Sequence, residues 1–214
     1  MITIAIIGVT GFAGSHIARA ATARGHRVEG VSRNLPADPI EGASYNAAPV
    51  SDDAVLKRVV ADADVVVASL SPRGDLAGKL TEAVARIATE AAAAGTRLIV
   101  VGGAGALRVA PDGPRVADGD SLPAFLIEES RQTAAVVAWL EQSAPDGLNW
   151  TYISPAFGFS PRDPGEATGS YTFAGNQATF DSKISAPDFA AAVTDEIEAD
   201  TRSGHISVYS EITA

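Results

Sequence analysis

The apolar run from Ile2 to Ile7 leads straight into Gly8-Val9-Thr10-Gly11-Phe12-Ala13-Gly14, and apolar residues then recur at helical spacing from Phe12 to Arg24. Strand, glycine turn and helix in immediate succession leave few folds open. Gly25 stands where a helix C-terminal glycine belongs, and Arg27 to Val31 reads as a second strand. Together they form a compact βαβ unit, whose crossover should be right-handed. In the G-x-x-G-x-x-G spacing, Gly8 permits the tight turn, Gly11 lets backbone approach a pyrophosphate, and Gly14 lets the helix lie close to the sheet. The free amides and positive end of the helix would then bind the anion. Glycines that serve packing alone are the plainer alternative; position after a strand and before a helix favours a dinucleotide site.

The alternation continues along the chain. Ser51 can cap a helix through Ala61, Asp64 opens a strand from Val65 to Ala68, Leu76 to Ala94 reads as a long alanine-rich helix, and Arg97 to Val101 as another strand. A helix from Pro123 to Ser143, a fifth core strand from Trp150 to Ile153 and a late strand from Ile206 to Tyr209 follow. Ser185 with Asp188 resembles a capping box opening a helix to about Asp200. The expected fold is α/β, a doubly wound, mainly parallel sheet with helices on both faces. With 214 residues and 46% hydrophobic content, residues 1–214 are expected to form one domain with small C-terminal insertions. Residues 102–122 and 154–170 lack a convincing period. Both follow strands, so both should lie at the carboxyl edge of the sheet, where open α/β folds bind ligands.

Several function classes drop out. There is no cysteine, which excludes disulfides, thiolate nucleophiles and cysteine metal sites. A net charge of −10 opposes nonspecific attraction to nucleic acid or anionic membrane, while leaving room for a local basic pocket. The N-terminus lacks the pattern of a signal peptide and no apolar stretch reaches the ~18 residues of a membrane span, so the expected location is the cytoplasm. His16, His26 and His205 have no ligand spacing, and no metal site is expected. Asp195, Glu196, Glu198 and Asp200 read as a solvated helix face.

The end of the second strand bears on cofactor choice, because an acidic residue there favours the 2′-hydroxyl of NAD and an arginine the 2′-phosphate of NADP. The segment reads Val31-Ser32-Arg33-Asn34, with a guanidinium and no carboxylate at the corner. Glu29 lies inside the strand and should point elsewhere. NADP(H) is therefore the expected cofactor, with NAD(H) possible. Ser71-Pro72-Arg73-Gly74-Asp75, after the third strand, could help bind phosphate or adenine, or serve only as a turn and helix cap.

With these residues in view, the chain resembles the atypical short-chain dehydrogenase/reductase group that includes NmrA-like proteins and proposed NADH-flavin reductases, with biliverdin/flavin reductases more distant. The resemblance spans nearly the whole length. It rests on Ile4 through Gly14, Ser32-Arg33-Asn34, Asp64-Val65-Val66-Val67, Val100-Val101-Gly102-Gly103-Ala104-Gly105, Ser154-Pro155-Ala156 and Lys183 through Ala190. It implies a Rossmann-type fold in which Gly8, Thr10, Gly11, Phe12, Ala13 and Gly14 line the pyrophosphate and Arg33 holds the 2′-phosphate. Ser69 and Leu70 would lie near the adenosine and central ribose, Gly102 and Gly103 beneath the nicotinamide ribose, and Ser154, Pro155 and Ala156 beside the nicotinamide. Plainer roles are open to some: Gly102 and Gly103 as turn glycines, Pro155 as a strand stop.

Departures from the pattern narrow the chemistry. None of Tyr45, Tyr152, Tyr171 or Tyr209 has the lysine four residues on that the acid–base pair of typical short-chain dehydrogenases requires. The hydroxyl that biliverdin/flavin reductases carry near the end of the fourth strand is replaced by Gly-Gly-Ala-Gly. No catalytic side chain is assigned. Hydride transfer to a flavin tolerates this, because the isoalloxazine accepts hydride directly once stacked on the nicotinamide. Phe157 and Phe159 could wall such a ring or simply be buried. The expectation is an NAD(P)H-dependent oxidoreductase acting on FMN, FAD or a similar planar acceptor. The alternative is an NmrA-like NADP(H) sensor working through a protein partner; a homodimer is also possible. An epimerase of the extended group is disfavoured by the absent tyrosine.

Overall fold

A computed structural model describes residues 1–120 and 122–210. The chain opens with β1 (Thr3–Ile7), α1 (Phe12–Ala23) and β2 (Arg27–Ser32), then adds β3 (Ala43–Ala47), α2 (Asp53–Ala61), β4 (Val65–Ala68), α3 (Leu80–Ala94) and β5 (Arg97–Val101). The second half holds α4 (Ala124–Ser143), β6 (Trp150–Pro155), β7 (Thr172–Ala174), α5 (Ala186–Ala199) and β8 (Gly204–Tyr209). One sheet runs in the order β3-β2-β1-β4-β5-β6-β8-β7, parallel throughout except for the β7–β8 edge pair. Strand order reverses on either side of β1, so a crevice opens between the carboxyl ends of β1 and β4, where such sheets take ligands.

The hydrophobic pattern explains the layers. Alternate residues of each central strand face opposite sides: Ile4 and Ile6, Val65 and Val67, Ile99 and Ile153 pack beneath α1 and α5. Ala5 and Ile7, Val66 and Ala68, Leu98 and Val100 pack beneath α2, α3 and α4. Burial on both faces is why these strands read as unbroken apolar runs rather than alternating ones. The expected α/β architecture with helices on both faces is therefore the one observed.

Four local expectations change. β3 and β7 lie at the sheet's two edges, and neither carries an apolar run. The helix expected from Leu76 begins only at Leu80: Gly74–Leu76 is a single 3-10 turn, and Gly78, at φ +74°, breaks the helical path before α3 starts. Asp52, rather than Ser51, caps α2 by accepting from the Val55 amide at 3.1 Å. Ser185 caps α5 by accepting from the Asp188 amide, and the Asp188 carboxylate reaches back to the Ser185 hydroxyl, which donates to it at 2.9 Å, rather than to the Ser185 amide that would complete the box. The carboxylate also accepts from the Thr168 and Gly169 amides at 2.9–3.1 Å and pins the loop that follows β6. These bonds outweigh the burial that would raise the Asp188 carboxyl, and hold it below the ordinary range.

The acidic run on α5 is not a uniformly solvated face. Glu196 is fully buried and accepts from Arg97 Nη2 and Arg202 Nη1, each at 2.7 Å, and from the Thr201 and Arg202 amides. Burial alone would raise its carboxyl; the Arg202 and Arg97 contacts more than offset that and keep it below the usual glutamate range. Asp195 and Glu198 reach Arg24, and Asp200 pairs with Arg97 at 2.9 Å. This cluster joins α5 to β5, to the loop that leads into β8 and to the end of α1, on the side of the sheet away from the crevice.

Candidate functional site: a glycine-lined cleft at the carboxyl edge

The loop between β1 and α1 is shaped by contacts that only glycine allows. Gly8 adopts φ +93°, and a Cβ there would lie 2.1 Å from the Ser69 carbonyl oxygen. That carbonyl cannot retreat freely, since the Ser69 amide donates to the Ile7 carbonyl at 2.8 Å and ties the ends of β1 and β4 together. A Cβ on Gly14 would lie 2.3 Å from the Gly8 carbonyl oxygen, so α1 presses its first turn against the loop. No side chain caps α1 and its first turn holds no acidic residue. The helix end facing the cleft is thus bare of competing negative charge.

A cleft of about 530 Å³ runs along this edge, within the range of ~300–1,000 Å³ usual for small-molecule sites. Of the residues singled out in the sequence, it gathers Gly8, Thr10, Gly11, Arg33, Ser69 and Leu70 on its walls. Phe12, Ala13 and Gly14 form the helix turn behind it; Ala13 and Gly14 are buried, and the Phe12 ring leans on His16 and Phe159. The far wall comes from Ala48, Pro49 and Val50, which follow β3. Those three were missed because β3 itself carries no clear strand signal. Arg33, Arg73, Lys79 and Arg86 line the cleft against only Asp75 and Glu82, so a strongly acidic chain keeps one locally basic hollow. Glycine cradle, open helix end and basic lining suit the pyrophosphate and adenosine of a dinucleotide.

The corner at Arg33 differs from the sequence expectation. A carboxylate is present there after all: Asp75, from the 3-10 turn after β4, accepts from Arg33 Nη1 at 2.7 Å. Glu29 does point away, as expected, accepting from Arg58 Nη1 and Asn46 Nδ2.

The residues that the family resemblance assigns to the nicotinamide end lie on the same carboxyl edge but do not line this cleft. Gly102 and Gly103 directly follow β5 and touch the end of β6, where the Gly102 amide donates to the Ile153 carbonyl at 2.9 Å. A Cβ on Gly102 would fall 2.0 Å from Tyr152 Cε1, so packing against that ring accounts for this glycine. Pro155 and Ala156 are buried. Ser154 is also fully buried; its hydroxyl donates to the Gly103 carbonyl at 3.0 Å and lies 2.9 Å from His205 Nε2. Burial, with the charges of Arg115 and Arg108, pushes His205 down to about 3 and keeps the imidazole neutral. Of the two loop phenylalanines, Phe159 turns inward, 4.7 Å from the Phe189 ring, whereas Phe157 stacks on the half-exposed Phe180. Tyr152, buried and donating to the Thr133 carbonyl, has its hydroxyl pushed well above the ordinary range, mainly by burial.

Among the described residues, no helix is long and apolar enough to cross a membrane, and no group of three His, Cys, Asp or Glu side chains could hold a metal ion.

Comparison with known proteins agrees with this geometry. The chain is 33% identical over 204 residues, covering 91% of its length and 92% of the relative, to the uncharacterized protein YwnB of Bacillus subtilis (strain 168). Among solved structures, it matches a candidate NADH-flavin reductase of Streptococcus pneumoniae TIGR4 with a TM-score of 0.86, at 27% identity and with 99% and 100% of the two chains covered. A candidate exported protein of Burkholderia pseudomallei matches with a TM-score of 0.84 at 32% identity, with 98% and 100% covered. Residues 8–200 match the NAD(P)H-binding family from the first glycine of the loop to the end of α5, and the chain belongs to that family.

Proposed function

We propose that this protein is an NAD(P)H-dependent reductase that passes hydride to a flavin or a similar planar acceptor. The observation that carries the reading is the glycine cradle: Gly8, Gly11 and Gly14 bring backbone against the open end of α1, beside a cleft with a basic lining. In this reading Gly8, Thr10, Gly11, Phe12, Ala13 and Gly14 surround the pyrophosphate, and Arg33 faces the 2′ position of the adenosine ribose. Ser69 and Leu70 contact the adenosine side. Gly102, Gly103, Ser154, Pro155 and Ala156 shape the nicotinamide end, largely as buried support beneath it. NADP(H) is favoured over NAD(H) through Arg33.

The dinucleotide supplies a hydride, and an oxidised flavin accepts it directly, completing its reduction with a proton from solvent. The protein's part is to bind, align and shield the two rings, which contributes by fixing a near-attack geometry. Such chemistry asks for no Tyr/Lys pair, and Ser154 with a neutral His205 offers none. The name given to the Streptococcus pneumoniae relative points the same way. The test is NADPH and NADH consumption by the purified protein with FMN, FAD or riboflavin, against a blank lacking protein. Saturable turnover above the blank is expected; tight dinucleotide binding with no turnover on any of the three flavins would refute the reductase reading.

A further inference from the structure

We infer that Asp75 tunes the choice between NADPH and NADH by holding Arg33, an inference that rests on reading the cleft as the dinucleotide site. Arg33 directly follows β2 and Asp75 sits in the turn after β4, yet Arg33 Nη1 donates to Asp75 Oδ2 at 2.7 Å across one wall of the cleft that also contains Gly8, Thr10 and Gly11. Each of the two groups suits a different ribose. A guanidinium matches a 2′-phosphate, whereas a carboxylate accepts from a 2′-hydroxyl. Here one corner carries both, supplied by elements 42 positions apart.

The backbone sets the meeting. Gly74, at φ +59°, turns the chain so that its Cα side passes the Arg33 guanidinium; a Cβ there would lie 3.8 Å from Nη1. Of the three other cations that line the cleft, Arg73 and Arg86 are engaged elsewhere and Lys79 is the third. Arg73 makes a bidentate pair with Glu129 on α4, and Arg86 pairs with Asp53 and Glu82. To engage Arg33, a 2′-phosphate entering the corner must take it from Asp75 and then lie beside a carboxylate of like charge. NADH meets neither obstacle, because its 2′-hydroxyl can donate to Asp75. Both side chains are largely exposed, at 62% and 82%, so the pair is weak and moderates NADPH binding without preventing it.

The test is a titration of the parent, Asp75→Asn, Arg33→Ala and the double variant with NADPH and with NADH, alongside thermal unfolding to confirm that each is folded. Asp75→Asn should tighten NADPH roughly five- to twenty-fold, by freeing the guanidinium and removing the like charge, while leaving NADH unchanged or slightly weaker. In the Arg33→Ala background most of that gain should vanish. An unchanged NADPH-to-NADH ratio in Asp75→Asn, or the full gain persisting without Arg33, overturns the inference while leaving the dinucleotide site standing. Failure of the parent to bind either dinucleotide overturns the reading of the cleft and this inference with it.

Discussion

Replacing Gly8 by alanine should damage both folding and dinucleotide binding, and a second glycine supplies the control. The added methyl would sit 2.1 Å from the Ser69 carbonyl oxygen, at a backbone φ of +93°. The left-handed conformation costs roughly 1–2 kcal/mol for a residue with a Cβ, and forcing apart the tied ends of β1 and β4 adds about 1–3 kcal/mol of overpacking. A total near 3 kcal/mol corresponds to a fall in Tm of about 6–12 °C for a chain of this size. Gly25 has a similar φ of +79°, but a Cβ there would meet nothing within 4 Å. Gly25→Ala should therefore show the dihedral cost alone, about 1–2 kcal/mol, with NADPH affinity unchanged. Thermal unfolding of both variants separates the two costs, and a binding titration reads the damage to the cradle. Equal melting temperatures, or an intact NADPH affinity in a folded Gly8→Ala variant, would refute the claim that close approach at Gly8 builds the site.

Other consequences can be checked with the same protein. Arg33→Ala should weaken NADPH about tenfold or more, the scale of a charge-assisted hydrogen bond, while changing NADH by less than about twofold; an unaltered NADPH-over-NADH preference would remove Arg33 from the site. Glu196→Gln strips the charge from a fully buried partner of Arg97 and should cost about 3 kcal/mol in urea unfolding at neutral pH, Asp200 limiting the loss. Because the Glu196 carboxyl is held below its unfolded value, its contribution is fully present above the unfolded range near ~4.3 and is lost as pH falls through the folded pKa. The gap between parent and variant should accordingly close in strong acid; a gap that widened there would contradict the assignment.

Local features of the fold were legible in the sequence, and long-range ones were not. The run from Ile4 to Gly14 shows strand, turn and helix by adjacent residues alone, and the Val/Ile strands buried on both faces announce a parallel sheet. β3 and β7 escaped because edge strands need neither a hydrophobic face nor length; Ala43–Ala47 carries Ser, Tyr and Asn, and Thr172–Ala174 spans three residues. With β3 unseen, the wall at Ala48, Pro49 and Val50 was unseen too. Arg33 was readable as a cation at the end of β2, but the carboxylate beside it arrives from another crossover, which only the folded register brings near. Glu196 looked solvated because its partner Arg97 lies 99 positions away. Gly102 illustrates the opposite limit: sequence could mark it as special, and only the Tyr152 ring beneath it says why.

Calorimetric titration of the purified parent with NADPH, repeated in the presence of saturating ADP-ribose, tests the central claim most directly. Saturable binding near one dinucleotide per chain, competed by ADP-ribose because the glycine cradle grips the pyrophosphate and adenosine half, is the predicted result. Absence of saturable NADPH binding, or binding that ADP-ribose leaves untouched, would contradict the assignment of the cleft.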